Sequence, residues 1–290
     1  MIKNYLKLIR VEQYLKNLFV FAPLFFSRQF FEMNLLWDVS IIFICFSLAA
    51  SGIYIINDYL DINEDRLHPQ KSKRPLASSK IAVKNALILM ILLEATSLIT
   101  SYIVSKPVFY IILLYLIMNV CYSKWLKHIA ILDVNIIAIG FVLRLLAGGF
   151  TANVTPSEWI VLITFLLAMF LGLSKRRTDV IHAQNGKTVR KNIESYSLTF
   201  IDIILAVLAG IIIVCYIFYC ISPDNEQNYH STYLYFSTIF VINGLLRYLK
   251  ITIVDQASYS PTLVLLKDLY IQICFVLWFL FMGYLLYFNV

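Results

Sequence analysis

The sequence predicts an all-α fold, an integral membrane bundle of nine transmembrane helices, and three observations lead there. Of its 290 residues 60% are apolar and only 14% charged, whereas a soluble domain carries roughly a quarter charged residues. The apolar residues gather into runs near the roughly 20 residues that a helix needs to cross a hydrocarbon core about 30 Å thick. Between those runs Lys and Arg collect in alternate loops, as they do when one set of loops stays in the cytoplasm. So sparse a charge inventory, net +7, excludes a disordered chain and a basic nucleic-acid module, and no nucleic acid is expected as a partner. The five Cys, at 45, 121, 215, 220 and 274, lie in apolar runs with no C-x-x-C pair. Neither a disulfide framework nor a zinc site is expected.

In chain order, the first span is expected over residues 12–27; it is short, begins with charge, and Pro23 is placed to kink its far end. Residues 39–57 form the second span, free of Asp, Glu, Lys and Arg. The third, 85–105, tolerates Glu94, and the fifth, 134–155, tolerates Arg144. The fourth (107–123), sixth (159–174), seventh (203–223), eighth (231–246) and ninth (269–290) contain no such residue. The N-terminus lacks the basic, apolar and small-residue order of a cleaved signal, and one domain is expected over residues 1–290. Of the 24 Lys and Arg, all but Arg28, Lys106 and Arg144 fall on the same side as the N-terminus. That asymmetry places the N-terminus in the cytoplasm and the protein, multi-pass, in the inner cell membrane.

Chemistry concentrates where the second span ends. Asp58, Asp61, Glu64 and Asp65 follow one another closely there. On a continuous helix Asn57, Asp58, Asp61 and Asp65 share an arc of roughly 100°. Three carboxylates on one face repel one another unless a divalent cation neutralises them. Oxygen ligands without His or Cys favour Mg²⁺ or Mn²⁺, and Mg²⁺ is commonly shared with substrate phosphates. A hydrated helix end explains any one of these Asp but not the set. Next comes Arg66-Leu67-His68-Pro69-Gln70-Lys71-Ser72-Lys73-Arg74-Pro75. The two prolines end the helix and stiffen the loop. Lys71, Lys73 and Arg74 beside the carboxylates suit the oxygens of a metal-bound polyphosphate. A loop held in the cytoplasm by its charge accounts for the cations but not for the adjacent acids. His68 fits a turn cap or a hydrated side chain as well as a catalytic one.

The pattern Asn57-Asp58-x-x-Asp61-x-x-x-Asp65, closing the second of nine helices, resembles the first aspartate-rich motif of the UbiA-type polyprenyl transferase superfamily. Those are intramembrane, Mg²⁺-dependent enzymes of prenyl diphosphate chemistry. The aromatic prenyltransferases among them have a second aspartate-rich motif after the sixth helix. Here that segment reads Leu173-Ser174-Lys175-Arg176-Arg177-Thr178-Asp179, one acid behind three cations. It is either an anion-binding patch or a positive stop signal. Arg10-x-x-Gln13-x-x-Lys16-Asn17, Tyr122-Ser123-x-x-Leu126-Lys127, Leu132-Asp133-Val134 and Arg144-x-x-Ala147-Gly148-Gly149 narrow the likeness. With Glu194-Ser195-Tyr196, Arg247-Tyr248 and Leu266-x-Asp268, they are similar to the decaprenyl-phosphate phosphoribosyltransferase branch.

That resemblance implies transfer of a 5-phosphoribosyl group from phosphoribosyl diphosphate to a polyprenyl phosphate, with release of diphosphate. It implies Mg²⁺ held by Asp58, Asp61 and Asp65, with Asn57 as ligand or orienting amide. Asp58, Asp61, Lys71 and Arg74 are the expected catalytic groups; Lys71 and Arg74, together with Lys73, would neutralise the leaving diphosphate. Lys175, Arg176 and Arg177 would take the donor 5-phosphate or the acceptor phosphate. Lys16 and Asn17 begin the first span near the same mouth, although a snorkelling Lys16 fits equally. Arg144 either pairs with an acid such as Glu94 or binds an anion at the cavity floor. Tyr122, Lys127 and Tyr196 complete the expected substrate contacts; Tyr122 and Asp133 would order the loop facing the metal, and Tyr196 is a phosphate-facing hydroxyl or a packing ring. The expected partners are phosphoribosyl diphosphate, the lipid phosphate and the membrane, and a homo-oligomer is compatible with them. Two rivals are a UbiA-type aromatic or quinone-precursor prenyltransferase using a prenyl diphosphate, and a non-catalytic transporter or scaffold. Acids clustered at one membrane edge, rather than at the midplane, count against the transporter.

Overall fold

A backbone in hydrocarbon must satisfy its own N–H and C=O groups, and among the described residues every long apolar run is helical and none is a strand. The structure is a computed structural model that describes residues 2–67, 71–186, 191–222, 233–255 and 261–288. His68, Pro69, Lys187 and Arg190 lie outside them. Among the described residues eight helices are long and apolar enough to cross a membrane. They are α3 (Met33–Leu60), α5 (Val83–Val104), α6 (Lys106–Lys124), α7 (Leu132–Ala152), α8 (Glu158–Gln184), α9 (Leu198–Ile221), the composite Leu234–Val254, and α12 (Leu269–Tyr287). Shorter helices are α1 (Ile2–Ile9), α2 (Ala22–Phe26), α4 (Ile62–Leu67) and α11 (Pro261–Lys267). The composite span consists of a 3-10 turn (Leu234–Ser237), α10 (Thr238–Leu249) and a π-helix (Lys250–Val254).

The count of nine is therefore approximate, and the first expected span is the reason. Residues 12–27 do not form one α-helix; they are a 3-10 helix, Val11–Phe21, followed by α2 with Pro23 in its first turn. Pro23 thus starts a helix rather than kinking one, as its fixed φ and missing N–H favour. The 3-10 rise of about 2.0 Å per residue and the α rise of about 1.5 Å give the two pieces together roughly 30 Å. A short segment thereby reaches the length of a hydrocarbon core.

The other boundaries follow local chemistry. Ser157 and Ser197 cap α8 and α9, accepting hydrogen bonds from Ile160 N–H (3.3 Å) and Phe200 N–H (3.1 Å). Asn153 in the left-handed region (φ 53°) ends α7, and Gly186 (φ 72°) follows the end of α8. Nothing breaks α8 before that point, so it runs ten residues past the expected span, which ended at residue 174. Lys175, Arg176 and Arg177 consequently lie on a helix rather than in a loop.

The chain divides into two compact units, Met1–Pro156 and Ser157–Val290. In the first, α3 packs against α5, α6, α7 and the 3-10 helix around Val39, Ile42, Phe46, Ile112 and Leu143. Gly148 is decisive there: a Cβ built on it would lie 1.9 Å from the Val20 carbonyl oxygen. Only a residue without a side chain lets the 3-10 backbone rest on α7. In the second unit α8 packs on α9, and α10 on α12 and α9.

Candidate functional site: a carboxylate-and-guanidinium cavity

In the first unit the end of α3 meets α1, the start of the 3-10 helix and the 71–75 turn at a cavity of about 350 Å³. Lys7, Arg10, Glu12, Gln13, Asp58, Lys73, Arg74 and Pro75 line it. Asp58 is 2% exposed and receives hydrogen bonds from two guanidinium groups, Arg10 Nη2 and, at 3.2 Å, Arg74 Nη1. The same Arg74 nitrogen donates to Asp65 Oδ2 at 2.6 Å. One cationic atom thus bridges two buried carboxylates. Such an arrangement is stable because each buried charge has a hydrogen-bonded counter-charge.

Asp61 departs from the expected common face. It ends α3 as a turn residue (φ −94°, ψ 8°) before α4 begins, and its carboxylate accepts from Lys127 Nζ at 2.5 Å. Backbone bonds Asp61 N–H to Asn57 C=O (3.0 Å) and Asp65 N–H to Asp61 C=O (2.8 Å) keep the spacing helical across this break. Among the described residues no three His, Cys, Asp or Glu side chains gather as metal ligands. The donor set nevertheless suits a hard divalent cation. Asp58 and Asp65 offer only oxygen, no Cys or His lines the cavity, and both carboxylates already converge on one positive nitrogen. Asp61 joins them only if it leaves Lys127.

Arg10 is the main residue that the sequence reading placed in a motif without giving it a place in the site. Its backbone is left-handed (φ 53°, ψ 55°), a conformation costly for a residue with a Cβ. Ser51 Oγ donates to the Ile9 carbonyl (3.0 Å) and bonds the Tyr14 hydroxyl (3.0 Å), pinning both sides of the bend to α3. The Arg10 guanidinium then lies 4.6 Å from the centre of the Tyr54 ring while reaching Asp58. Lys7 and Glu12 belong to no motif of the sequence, and Gln13, like Arg10, belongs to one without a place in the site. The available signal was the spacing Arg10-x-x-Gln13-x-x-Lys16-Asn17, which places them on one short stretch.

The remaining expected residues are exposed, half-buried or internally committed. Lys73 is exposed at the cavity, Lys71 and Asn57 are half-buried, and Tyr122 is half-buried near the end of α6. Asn17 is 1% exposed; it donates to Ser47 Oγ (3.0 Å) and accepts from Arg144 Nε (2.6 Å). Arg144 thus pairs with Asn17 rather than with Glu94, which packs over Gly52 of α3.

In the second unit Arg177 donates to both oxygens of Asp202 (2.6 and 3.3 Å) and to the Thr252 carbonyl (2.7 Å). The π-helix presents that carbonyl by shifting its own backbone bonding. Arg177 therefore ties α8 to α9 and to the π-helix, and its guanidinium is committed. Arg176, 2% exposed, bonds Asp179 at 2.8 Å; Lys175 is exposed; Tyr196 is buried with its ring 6.4 Å from that of Phe200. Asp268 caps α12 and is held below the ordinary carboxylate range by hydrogen bonds from Arg247. Replacing Arg177 by Met strands Asp202 and the Thr252 carbonyl and is expected to cost about 2 kcal/mol. The thermal midpoint of the purified protein in detergent measures it, and an unchanged midpoint would contradict the assignment.

The family model described as the UbiA prenyltransferase family matches residues 19–258. A Mycolicibacterium smegmatis protein named decaprenyl-phosphate phosphoribosyltransferase is 31% identical, the match covering 100% of this chain and 94% of that protein. The protein of that name from Corynebacterium glutamicum is 28% identical over 94% of this chain and 83% of its own length. Among solved structures, a UbiA homolog from Archaeoglobus fulgidus bound to DMAPP and Mg²⁺ superposes with a TM-score of 0.73. It is 20% identical and is covered over 99% of its length, with 98% of this chain.

Proposed function

Because this chain belongs to the UbiA prenyltransferase family, we propose that its cavity performs the variant of that chemistry in which phosphoribosyl diphosphate gives its 5-phosphoribosyl group to a polyprenyl phosphate. The observation that carries the reading is the pairing of the buried carboxylates Asp58 and Asp65 with Arg10 and Arg74 beside a cavity that also offers Lys7 and Lys73. A ligand with several phosphates is the chemistry such a surplus of cations recognises. Relatives named for this reaction match nearly the whole chain at 27–31% identity.

Asp58 and Asp65, joined by Asp61, would hold Mg²⁺, with Asn57 orienting them. When bound, the metal supplies charge neutralisation for the diphosphate as it leaves. Arg10, Arg74, Lys71 and Lys73 then take the free phosphate oxygens and orient the donor. The bond from ribose C1 to the diphosphate oxygen breaks, and an oxygen of the lipid phosphate forms the new bond to C1 from the opposite face. That nucleophile is already anionic, so no side chain need become covalently attached and little general-base help is required. Positioning and electrostatics carry the rate. Lys127 releases Asp61 and becomes a phosphate contact; Tyr122 orders the adjoining turn. On α8 of the second unit, Arg176 and Arg177 hold the helix through Asp179 and Asp202 and leave Lys175 exposed as a candidate phosphate contact, with Tyr196 packed beside Phe200. The Lys and Arg bias of the loops supports a cytoplasmic N-terminus and cavity in an inner cell membrane.

The test supplies radiolabelled phosphoribosyl diphosphate and a polyprenyl phosphate to the purified protein. Labelled lipid is expected with Mg²⁺, and EDTA is expected to remove at least about 99% of it, with recovery on adding Mg²⁺. Absence of labelled lipid together with prenylation of an aromatic acid would reverse the reading in favour of the aromatic prenyltransferase.

A further inference from the structure

Deeper in the first unit lies positive charge that the described residues do not neutralise. Arg144 is 6% exposed, and its donors reach only neutral acceptors: Asn17 Oδ1 (2.6 Å), the Gly140 carbonyl (2.6 Å) and the Tyr115 hydroxyl (3.0 Å). The rings of Tyr115, Phe141 and Phe46 enclose it at 4.9, 5.3 and 5.7 Å. Its hydrogen bonds are satisfied and its charge is not. Lys16, beside Asn17 on the 3-10 helix, feels the charges of both Arg144 and Arg10. Among the described residues its ammonium makes no hydrogen bond and no ion pair. Tyr54, one turn before Asp58 on α3, feels Tyr115, Arg144, Arg10 and, least, the exposed Glu12, and its hydroxyl likewise has no hydrogen-bond partner among the described residues. Glu94, the deep carboxylate, cannot serve as counter-ion: it packs over Gly52, and its Oε1 is buried without a partner.

Like charges held at membrane depth without a counter-ion repel, and such groups mark the path of a charged ligand. We infer that Lys16, Tyr54 and Arg144 form a second anion seat, distinct from the carboxylate cavity, for the phosphate monoester of the acceptor lipid. Arg10 stands between the two sites, bonded to Asp58 on one side and stacked on Tyr54 on the other. Arg144 is the thirteenth residue of the span that begins at Leu132, about 18 Å along the helix. A phosphate at that depth is most readily carried there by an apolar chain. Lys16 supplies an unpaired ammonium, Tyr54 an O–H donor, and Arg144 a fixed positive background. The assignment to the acceptor rests on the reaction proposed above.

The test uses the purified full-length protein without donor or metal, and three probes: farnesyl phosphate, farnesol and ribose 5-phosphate. Farnesyl phosphate is expected to bind, with Kd rising at least about tenfold in Lys16→Gln and about threefold in Tyr54→Phe. Farnesol is expected to bind all three proteins alike, and ribose 5-phosphate to leave farnesyl phosphate bound. In turnover, Lys16→Gln is expected to raise KM for the lipid phosphate about tenfold while KM for phosphoribosyl diphosphate stays within about twofold. Equal farnesyl phosphate affinity in both variants overturns the seat, as does its displacement by ribose 5-phosphate, which would assign the site to the donor. Variant-sensitive farnesyl phosphate binding in a protein that transfers no phosphoribosyl group supports the seat and removes the reaction. Phosphoribosyl transfer with variant-insensitive binding does the reverse.

Discussion

Asp58→Asn lowers kcat/KM for phosphoribosyl transfer by at least about 10³-fold while leaving the helices folded. Asp58 is the one carboxylate that lines the cavity, is almost fully buried and is held by two guanidinium groups. Asn matches its size and retains one acceptor oxygen, so packing is conserved, whereas the negative charge that would bind a divalent cation is gone. Arg10 and Arg74 are each partly exposed at the cavity and can be hydrated when their partner turns neutral, which limits the loss of stability. Two measurements check this: transfer rate across a Mg²⁺ titration, and thermal midpoint. Activity within about tenfold of the wild type, at any Mg²⁺ concentration, would remove Asp58 from the proposed metal ligands.

Gly148→Ala is the second large effect, and it is reached through packing rather than chemistry. The added Cβ would lie 1.9 Å from the Val20 carbonyl oxygen and 2.8 Å from its carbon. Backbone atoms cannot turn aside as the end of a side chain can, so the 3-10 helix must move outward by more than about 1 Å. Overpacking of this kind costs about 3 kcal/mol. The same helix carries Lys16 and Asn17 and begins beside Arg10. Displacement by about 1 Å in a positioning element is expected to lower kcat/KM roughly 10²-fold. Gly210 and Gly244 are the controls, since nothing lies within 4 Å of a Cβ built on either. Ala at those positions is expected to be neutral or slightly stabilising, because Ala favours helix over Gly by about 1 kcal/mol. If Gly148→Ala behaves like the controls in thermal midpoint and turnover, the close approach of the 3-10 helix to α7 is wrong.

Much of this architecture was legible beforehand because a bilayer imposes one dominant length and one polarity on each span. α5, α6, α7 and α12 begin within two residues of the limits expected from apolar runs alone. The acidic stretch was legible for a related reason: Asp58 and Asp65 could not stand at the end of an uncharged helix without a compensating cation. Arg74 as partner was also within reach, being nine residues from Asp65.

Arg10 was not within reach. Forty-eight residues separate it from Asp58, and only the left-handed bend at Arg10, anchored by Ser51 to the Ile9 carbonyl, aims it there. Arg177 shows the opposite case. In sequence it is one of three adjacent cations that suit a phosphate, but in the fold Asp202 and the Thr252 carbonyl engage it completely. Asp61 is a third case. Helical spacing puts it with Asp58 and Asp65, yet one residue of turn geometry and the amine of Lys127 draw it aside.

Sequence alone therefore determined the helical membrane architecture and the residue types gathered at the candidate site, because both rest on local quantities: run length, hydrophobicity, charge and spacing along one helix. Tertiary structure alone decided which cation meets which carboxylate, which arginines are committed to the fold, and where an unneutralised charge remains. Those outcomes depend on close approaches between segments distant in the chain, of the kind Gly148 permits at Val20, and no local pattern encodes the distance between two such segments.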